Sequence, residues 1–180
     1  GHKVTYKGDT SVTVSGMPAL APSSFESEIE FGAKATVGYA IDLSEDLTIA
    51  LDVDWIESSV YENLPLDFGA NNGVFPFPPA IPQNWDDTWS YELGARYQLS
   101  ESWNISGGLS YLESPVPSST IAPTLVTNDK VIYRLGTGFE KGDHSFAITY
   151  AFSESDRTVS NNLNPAYNGE YDLEQHILSL

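Results

Sequence analysis

Apolar and polar side chains alternate with a period of two along most of this chain. In TWSYELGARYQL, residues 88–99, Trp89, Tyr91, Leu93, Ala95, Tyr97 and Leu99 fall on one side. Thr88, Ser90, Glu92, Gly94, Arg96 and Gln98 fall on the other. Successive side chains of a β-strand point to opposite faces, so the pattern predicts a strand lying between two unlike media. The same template predicts strands over residues 28–41, 47–56, 103–111, 131–140 and 144–153, with weaker candidates at 2–14 and 171–180. Together these make about eight strands and no convincing helix.

The connections are of two kinds. DLSED (42–46), SES (100–102) and KGD (141–143) are tight and polar, whereas 15–27, 62–86, 114–130 and 158–170 are long and rich in Pro, Asn, Ser and Gly. Short and long connections alternate, which in an up-and-down antiparallel sheet gathers the tight turns at one end and the long loops at the other. Outer-membrane barrels have short periplasmic turns and long extracellular loops in this way. Trp89 with Tyr97, Trp103 with Tyr111, and Tyr150 with Phe152 lie near strand ends, where aromatic girdles meet the two headgroup levels. A soluble up-and-down barrel has its apolar face inside, and alternation alone does not tell inside from outside. Three features favour the membrane: each apolar face matches the ~9–11-residue strand that crosses a bilayer, the polar faces are charged as a wet lumen is, and connection lengths differ systematically between the two ends, which soluble barrels show less regularly. The expected fold is all-β, an antiparallel up-and-down transmembrane β-barrel, with 1–180 a single barrel segment.

Composition narrows the partners. The 180 residues suffice for one domain, and 8 Lys+Arg against 25 Asp+Glu give a formal charge of −17. Such a surface repels a nucleic-acid backbone, so no nucleic-acid partner is expected. There is no cysteine, hence no disulfide scaffold or thiolate metal site. The N-terminus, GHKVTYKGDTSVTV, is strand-like and lacks the charged, apolar and small segments of a secretion signal, so it reads as a mature form or a piece of something longer. No apolar run reaches the ~18–20 residues of a membrane helix, which says nothing against a barrel.

The segment NWDDTWSYELGARYQLSESWNISGGLSYLESPVP (84–117), then NDK (128–130) leading into VIYRLGTGFEKG, resembles the C-terminal part of the FadL family. These are outer-membrane transporters of long-chain fatty acids and other hydrophobic compounds, the TodX-type toluene transporters among them. EFGAKATVGYAIDLSEDLTIALDVDWIESSVYENL (30–64) is similar to the family's preceding hairpin, so the resemblance covers most of the chain. It implies a bacterial outer-membrane location. It also implies that these are the C-terminal strands of a larger barrel of about 14 strands, and that the remaining N-terminal part and its plug are partners. No plug, kinked early strand or closing aromatic residue is seen here, the chain ending in HILSL. The resemblance further implies passive diffusion of a hydrophobic ligand, captured at the extracellular loops, with membrane lipid and lipopolysaccharide as surroundings and no cofactor.

Candidate ligand contacts follow. Phe75 and Phe77 in VFPFPPAIP (74–82), held by prolines, suit a capture surface, or a loop covering itself over the barrel mouth. Lys34, Arg96 and Arg134, on polar faces, suit a carboxylate head group or cross-strand pairing with Glu92, Asp52 and Asp54 in the lumen lining. Gly32, Gly38, Gly94, Gly108, Gly136 and Gly138 suit space for a plug or a ligand path, or equally strand bending. The acidic run ESEIE (26–30) suits a solvated rim or divalent cations bridging lipopolysaccharide, without EF-hand spacing. His2, His144 and His176 stand apart with no zinc-ligand spacing, residues 135–138 are not a phosphate loop, and no nucleophile elbow is present; an enzyme is not expected. Alternative readings are a self-contained eight-stranded structural or adhesive barrel, a general porin, and a soluble ligand-binding barrel.

Overall fold

A computed structural model describes residues 2–11, 22–71, 79–124 and 127–180. Among them the strands are β1 (His2–Thr10), β2 (Ser23–Phe31), β3 (Lys34–Asp42), β4 (Leu47–Ile56), β5 (Asn63–Pro65), β6 (Ala80–Pro82), β7 (Thr88–Gln98), β8 (Trp103–Leu112), β9 (Lys130–Lys141), β10 (His144–Val159) and β11 (Gly169–Ser179). The described helical segments are single 3-10 turns at Ser58–Val60, Gly69–Asn71 and Pro165–Tyr167. Every strand pairing is antiparallel.

The chain divides into two compact units. One comprises Gly1–Ala33 and Glu57–Asp86, and the other Lys34–Ile56 and Asp87–Leu180. The first holds the β1–β2 hairpin and the β5–β6 pair. The second is a seven-stranded sheet in the order β11-β10-β9-β8-β7-β4-β3, whose edge strands, β3 and β11, have no strand partner among the described residues. The sheet does not close.

Several boundaries differ from the sequence expectation. Residues 28–41, expected as one strand, are split between β2 and β3, which belong to different sheets. Residues 23–27, expected in the first long loop, are strand paired with β1. Gly32 accordingly lies between strands. β10 continues to Val159, past the expected end at 153, through the polar SESDRTV. From Ser153 to Thr158 both faces of β10 carry polar residues, so the apolar alternation stops there although the strand continues.

Register lines the faces up. One row across the sheet runs Tyr39, Leu51, Leu93, Leu109, Tyr133, Phe152 and His176; the next runs Ile41, Ile49, Ala95, Gly107, Leu135, Tyr150 and Leu178. On the reverse face a row runs Gly38, Asp52, Glu92, Ser110, Ile132, Ser153 and Gln175. The apolar rows are the open ones: Leu135 is 67% exposed and Leu93 50%, whereas Ser110 on the polar face is 1% exposed. That inverts a water-soluble barrel. The buried apolar residues among those described are Val116, Ile121 and Val159, so the strands are not held over an oily core. A continuous apolar patch of this extent requires a non-aqueous neighbour.

The band has the height of a bilayer's apolar layer. Trp89 to Tyr97 on β7 and Trp103 to Tyr111 on β8 are each eight residues apart. At about 3.4 Å per residue and a tilt of about 40° this spans roughly 21 Å, against the ~25 Å apolar band of outer-membrane barrels. Trp103 packs against Phe139 with ring centroids 4.7 Å apart at the tight-turn end, and Phe152 against His176 at 5.1 Å toward the long-loop end. The β9–β10 turn is two residues long, and Gly142 has φ 60°, the positive value that the first position of a type II′ turn demands.

Candidate functional site

The polar face of the seven-stranded sheet brings most of the sequence candidates together in two groups. At the start of β3, the Lys34 ammonium lies 3.2 Å from Asp54 of β4, and the Thr36 hydroxyl donates to the same carboxylate at 2.5 Å. In the middle of the sheet Arg134 reaches Glu92 at 3.6 Å, and the Ser110 hydroxyl, which accepts from the Arg134 guanidinium, donates to Glu92 at 3.0 Å. Small neighbours make this possible. The row through Arg134 reads Ala40, Ala50, Gly94, Gly108, Arg134 and Ala151, so the long side chain lies over residues with little bulk. Asp52 sits across from Gly38, where an added Cβ would come within 2.2 Å of its Oδ1, so the glycine makes room for the carboxylate.

Arg96 stands apart. It faces Thr48 and Ser106 in register and has no ion-pair partner among the described residues. The cross-strand pairing expected for the basic residues therefore holds for Lys34 and Arg134 and not for Arg96. Phe75 and Phe77 lie outside the described residues.

In the other unit, the acidic run of β2 meets lysines of β1. Lys3 lies 2.8 Å from Glu28 and 3.6 Å from Glu30, and Lys7 lies 3.0 Å from Glu26. The hydrogen bond to Glu28, with the charges of Glu28 and Glu30, holds the Lys3 ammonium above the usual lysine range. Beside this ladder is a cavity of ≈ 410 Å³, lined by Ile29, Val60, Tyr61, Leu64, Pro65 and Trp85 together with Lys3 and the acids. Tyr61 and Trp85 pack with ring centroids 4.8 Å apart, and the Trp85 indole N–H is buried with no hydrogen-bond partner. Size and lining are those of a small-molecule site. Sequence reasoning missed it because its walls come from segments without alternation.

Two further features escaped the sequence. His176 is not isolated: its Nδ1 lies 2.6 Å from the Tyr150 hydroxyl and its Nε2 2.6 Å from Glu174, joining β10 and β11 on the apolar face where the acidic residues begin. The loop after β8 is fastened to β10. Arg157 donates to the Val116 carbonyl at 2.7 Å and to Ser118 Oγ at 3.2 and 3.0 Å, while Asn162 donates to the carbonyls of Ser118 and Ile121 at 3.0 and 2.8 Å.

With this geometry in view, comparisons with known proteins give consistent findings. The crystal structure of a Pseudomonas aeruginosa FadL homologue matches with a TM-score of 0.66 at 19% identity, over 87% of this chain and 35% of that one. At such identity the likeness shows the fold, an outer-membrane barrel of which this chain spans about a third. No curated protein matches. The model of the outer membrane protein transport protein family (OMPP1/FadL/TodX) matches residues 3–180, essentially the whole chain. The chain belongs to the FadL/TodX family of outer-membrane transport proteins.

Proposed function

We propose that the chain forms part of the wall of a bacterial outer-membrane transporter, through which hydrophobic compounds, foremost long-chain fatty acids, pass without energy coupling. One observation carries this reading. The sheet exposes its apolar rows, and in its central strands it covers the polar side more closely, with Ser110 and Ser153 buried and Lys34, Arg96 and Arg134 on that same polar face. A wall of this polarity separates hydrocarbon from a wet interior. Unpaired strand edges are not tolerated in lipid, where each unmet backbone group costs several kcal/mol. In the membrane β3 and β11 are therefore paired by further strands of the same barrel, which argues against a self-contained eight-stranded protein. The role is that of a conduit and calls on no catalytic group.

Capture begins, in this reading, at the cavity of Tyr61 and Trp85. Its apolar wall, with Tyr61 and Trp85, accepts an alkyl chain. Lys3 is already engaged by Glu28 and is not the anchor. Phe75 and Phe77 add greasy area to the same long connection.

Uptake of radiolabelled oleate tests the proposal, using the full-length protein in cells that lack a fatty-acid transporter of their own. Uptake should be restored, and liposomes carrying the protein should swell slowly in sugars. Rapid swelling without oleate uptake would identify a general porin and end the reading. Tyr61→Ala combined with Trp85→Ala, or Phe75→Asp combined with Phe77→Asp, should lower uptake at limiting oleate while leaving it intact at saturating oleate. A fall at both concentrations would place the defect elsewhere than in capture.

A further inference from the structure

The cavity of Tyr61 and Trp85 lies along an open strand edge. Glu26 of β2 exchanges backbone hydrogen bonds with Asp67, its N–H donating at 2.8 Å and its carbonyl accepting at 2.9 Å. Further along, the Glu57 N–H donates to the Ala33 carbonyl at 2.9 Å, and Glu57 Oε2 accepts from the Ala33 N–H at 3.0 Å. Between these two bridges no backbone bond joins β2 to the facing segment among the described residues. A proline interrupts the ladder. One step along the register of the Glu26–Asp67 bridge, Glu28 stands across from Pro65, which has no N–H to give, and the Pro65 carbonyl accepts instead from the Ser27 hydroxyl at 2.8 Å. Beyond it the facing segment pairs elsewhere, β5 with β6, and the carbonyls of Tyr61 and Glu62 with the N–H groups of Trp85, Gln83 and Asn84.

A strand residue turns both its backbone groups to one side, and its neighbours turn theirs to the other. Glu26 turns its pair toward Asp67, so Glu28 and Glu30 turn theirs the same way, away from β1 and toward the cavity whose wall includes both. The charge of the wall is one-sided. It holds one ammonium, Lys3, against the carboxylates of Glu28, Glu30 and Glu62, and Lys3 is already paired with the first two. Glu62 has no ion-pair partner among the described residues. An ionised acid head meets carboxylates of its own sign here, and has no proton for an edge carbonyl. An ester is uncharged but accepts only. A primary carboxamide is uncharged, accepts through its oxygen and donates through its nitrogen, which matches the N–H and C=O that one edge residue presents.

We propose that this cavity holds an amide-headed amphiphile, its alkyl chain against Tyr61, Leu64 and Trp85 and its carboxamide paired with the backbone N–H and C=O of Glu30. The proposal rests on the transport reading above and deepens it: among hydrophobic compounds of equal chain length, the capture cavity prefers a primary amide to the ester and to the ionised acid. Hydrogen-bonding groups discriminate in this way because the analogue lacking the donor leaves the edge carbonyl unpaired.

The test is calorimetric titration of the full-length, detergent-solubilised protein with octanamide, methyl octanoate and octanoate, each corrected for partition into protein-free micelles. Octanamide should bind about tenfold more tightly than the ester, the effect of one hydrogen bond, and octanoate should bind most weakly. Glu30→Pro deletes an edge N–H that β1 does not use, and should weaken octanamide about tenfold relative to Glu30→Ala, which keeps that N–H. Glu62→Gln should strengthen octanoate about threefold and leave octanamide unchanged. It breaks no ion pair, so it remains informative if Glu30→Pro does not refold; folding of each variant is checked by heat-dependent gel mobility. An ester or acid that binds as tightly as the amide, equal octanamide affinities in the folded Pro and Ala variants, or an octanoate affinity that Glu62→Gln does not move would overturn the assignment, and oleate uptake would leave the transport reading standing. Binding of none of the three, with no uptake of oleate, would overturn both.

Discussion

Leu93→Arg should destabilise the folded protein in lipid vesicles by about 2–4 kcal/mol, the cost of a cation on the lipid face at mid-depth of an outer-membrane barrel. Leu93 is central in its row, with Leu51 and Leu109 beside it and Tyr39 and Tyr133 beyond, and it lies between the Trp89 and Tyr97 ends of β7. A guanidinium there is too far from either headgroup level to reach it without bending the strand or thinning the bilayer. Ser106→Arg is the control. Ser106 is on the polar face of the adjacent strand, in register with Arg96, and an added cation there, repelled by Arg96 but solvated, should cost no more than about 1 kcal/mol. Urea unfolding midpoints of the full-length protein in short-chain phosphatidylcholine vesicles would measure both. Similar effects from the two substitutions would mean that the apolar rows do not meet hydrocarbon, and with that the reading of the conduit's wall would fail.

The same contrast explains what could be read from the sequence alone. Wherever a strand separates hydrocarbon from water, each residue must declare its face, so β3, β4, β7, β8 and β9 are visible in the alternation and the charges of their polar face, Lys34, Asp52, Asp54, Glu92, Arg96 and Arg134, fall out of the same count. Where both faces meet water the constraint vanishes. This is why β10 outran its expected end; β2 was merged with β3 for the opposite reason, because the alternation of Ile29 and Phe31 runs on in phase past Gly32. The Tyr61–Trp85 cavity was hidden for another reason: its wall brings Ile29 together with Tyr61 and Trp85, a meeting that no local period encodes. His176 shows the limit of spacing rules in a sheet: its partner Tyr150 is 26 residues away in sequence and close only because of register.

Arg157 should prove the most sensitive residue of the polar face. Its guanidinium gives three bonds at 2.7–3.2 Å to the Val116 carbonyl and Ser118 Oγ, and a longer one of 3.3 Å to the Thr127 carbonyl. All three acceptors are neutral and all belong to the loop between β8 and β9. Val116 and Ile121 of that loop and Val159 at the end of β10 are the apolar residues buried among those described, so the dry core of the described residues lies at the loop's attachment and not along the sheet. Releasing the loop opens that core to water. Arg157→Met keeps the length and apolar stem of the side chain and removes its donors. At about 1.5–3 kcal/mol for a hydrogen bond to a charged group, with solvent access reducing the sum, a loss of roughly 3 kcal/mol is expected. Arg157→Lys, which keeps the charge but not the planar fork, should recover only part of it. Stability alone would not distinguish loop release from general loosening, so limited proteolysis of the folded protein is the sharper measurement. The Met variant should be cut within residues 113–129 while the strands stay intact, because the loop is held by side chains and the strands by backbone ladders. Cleavage spread evenly over all the long loops would show instead that Arg157 supports the sheet as a whole, and would deny the loop its separate anchorage.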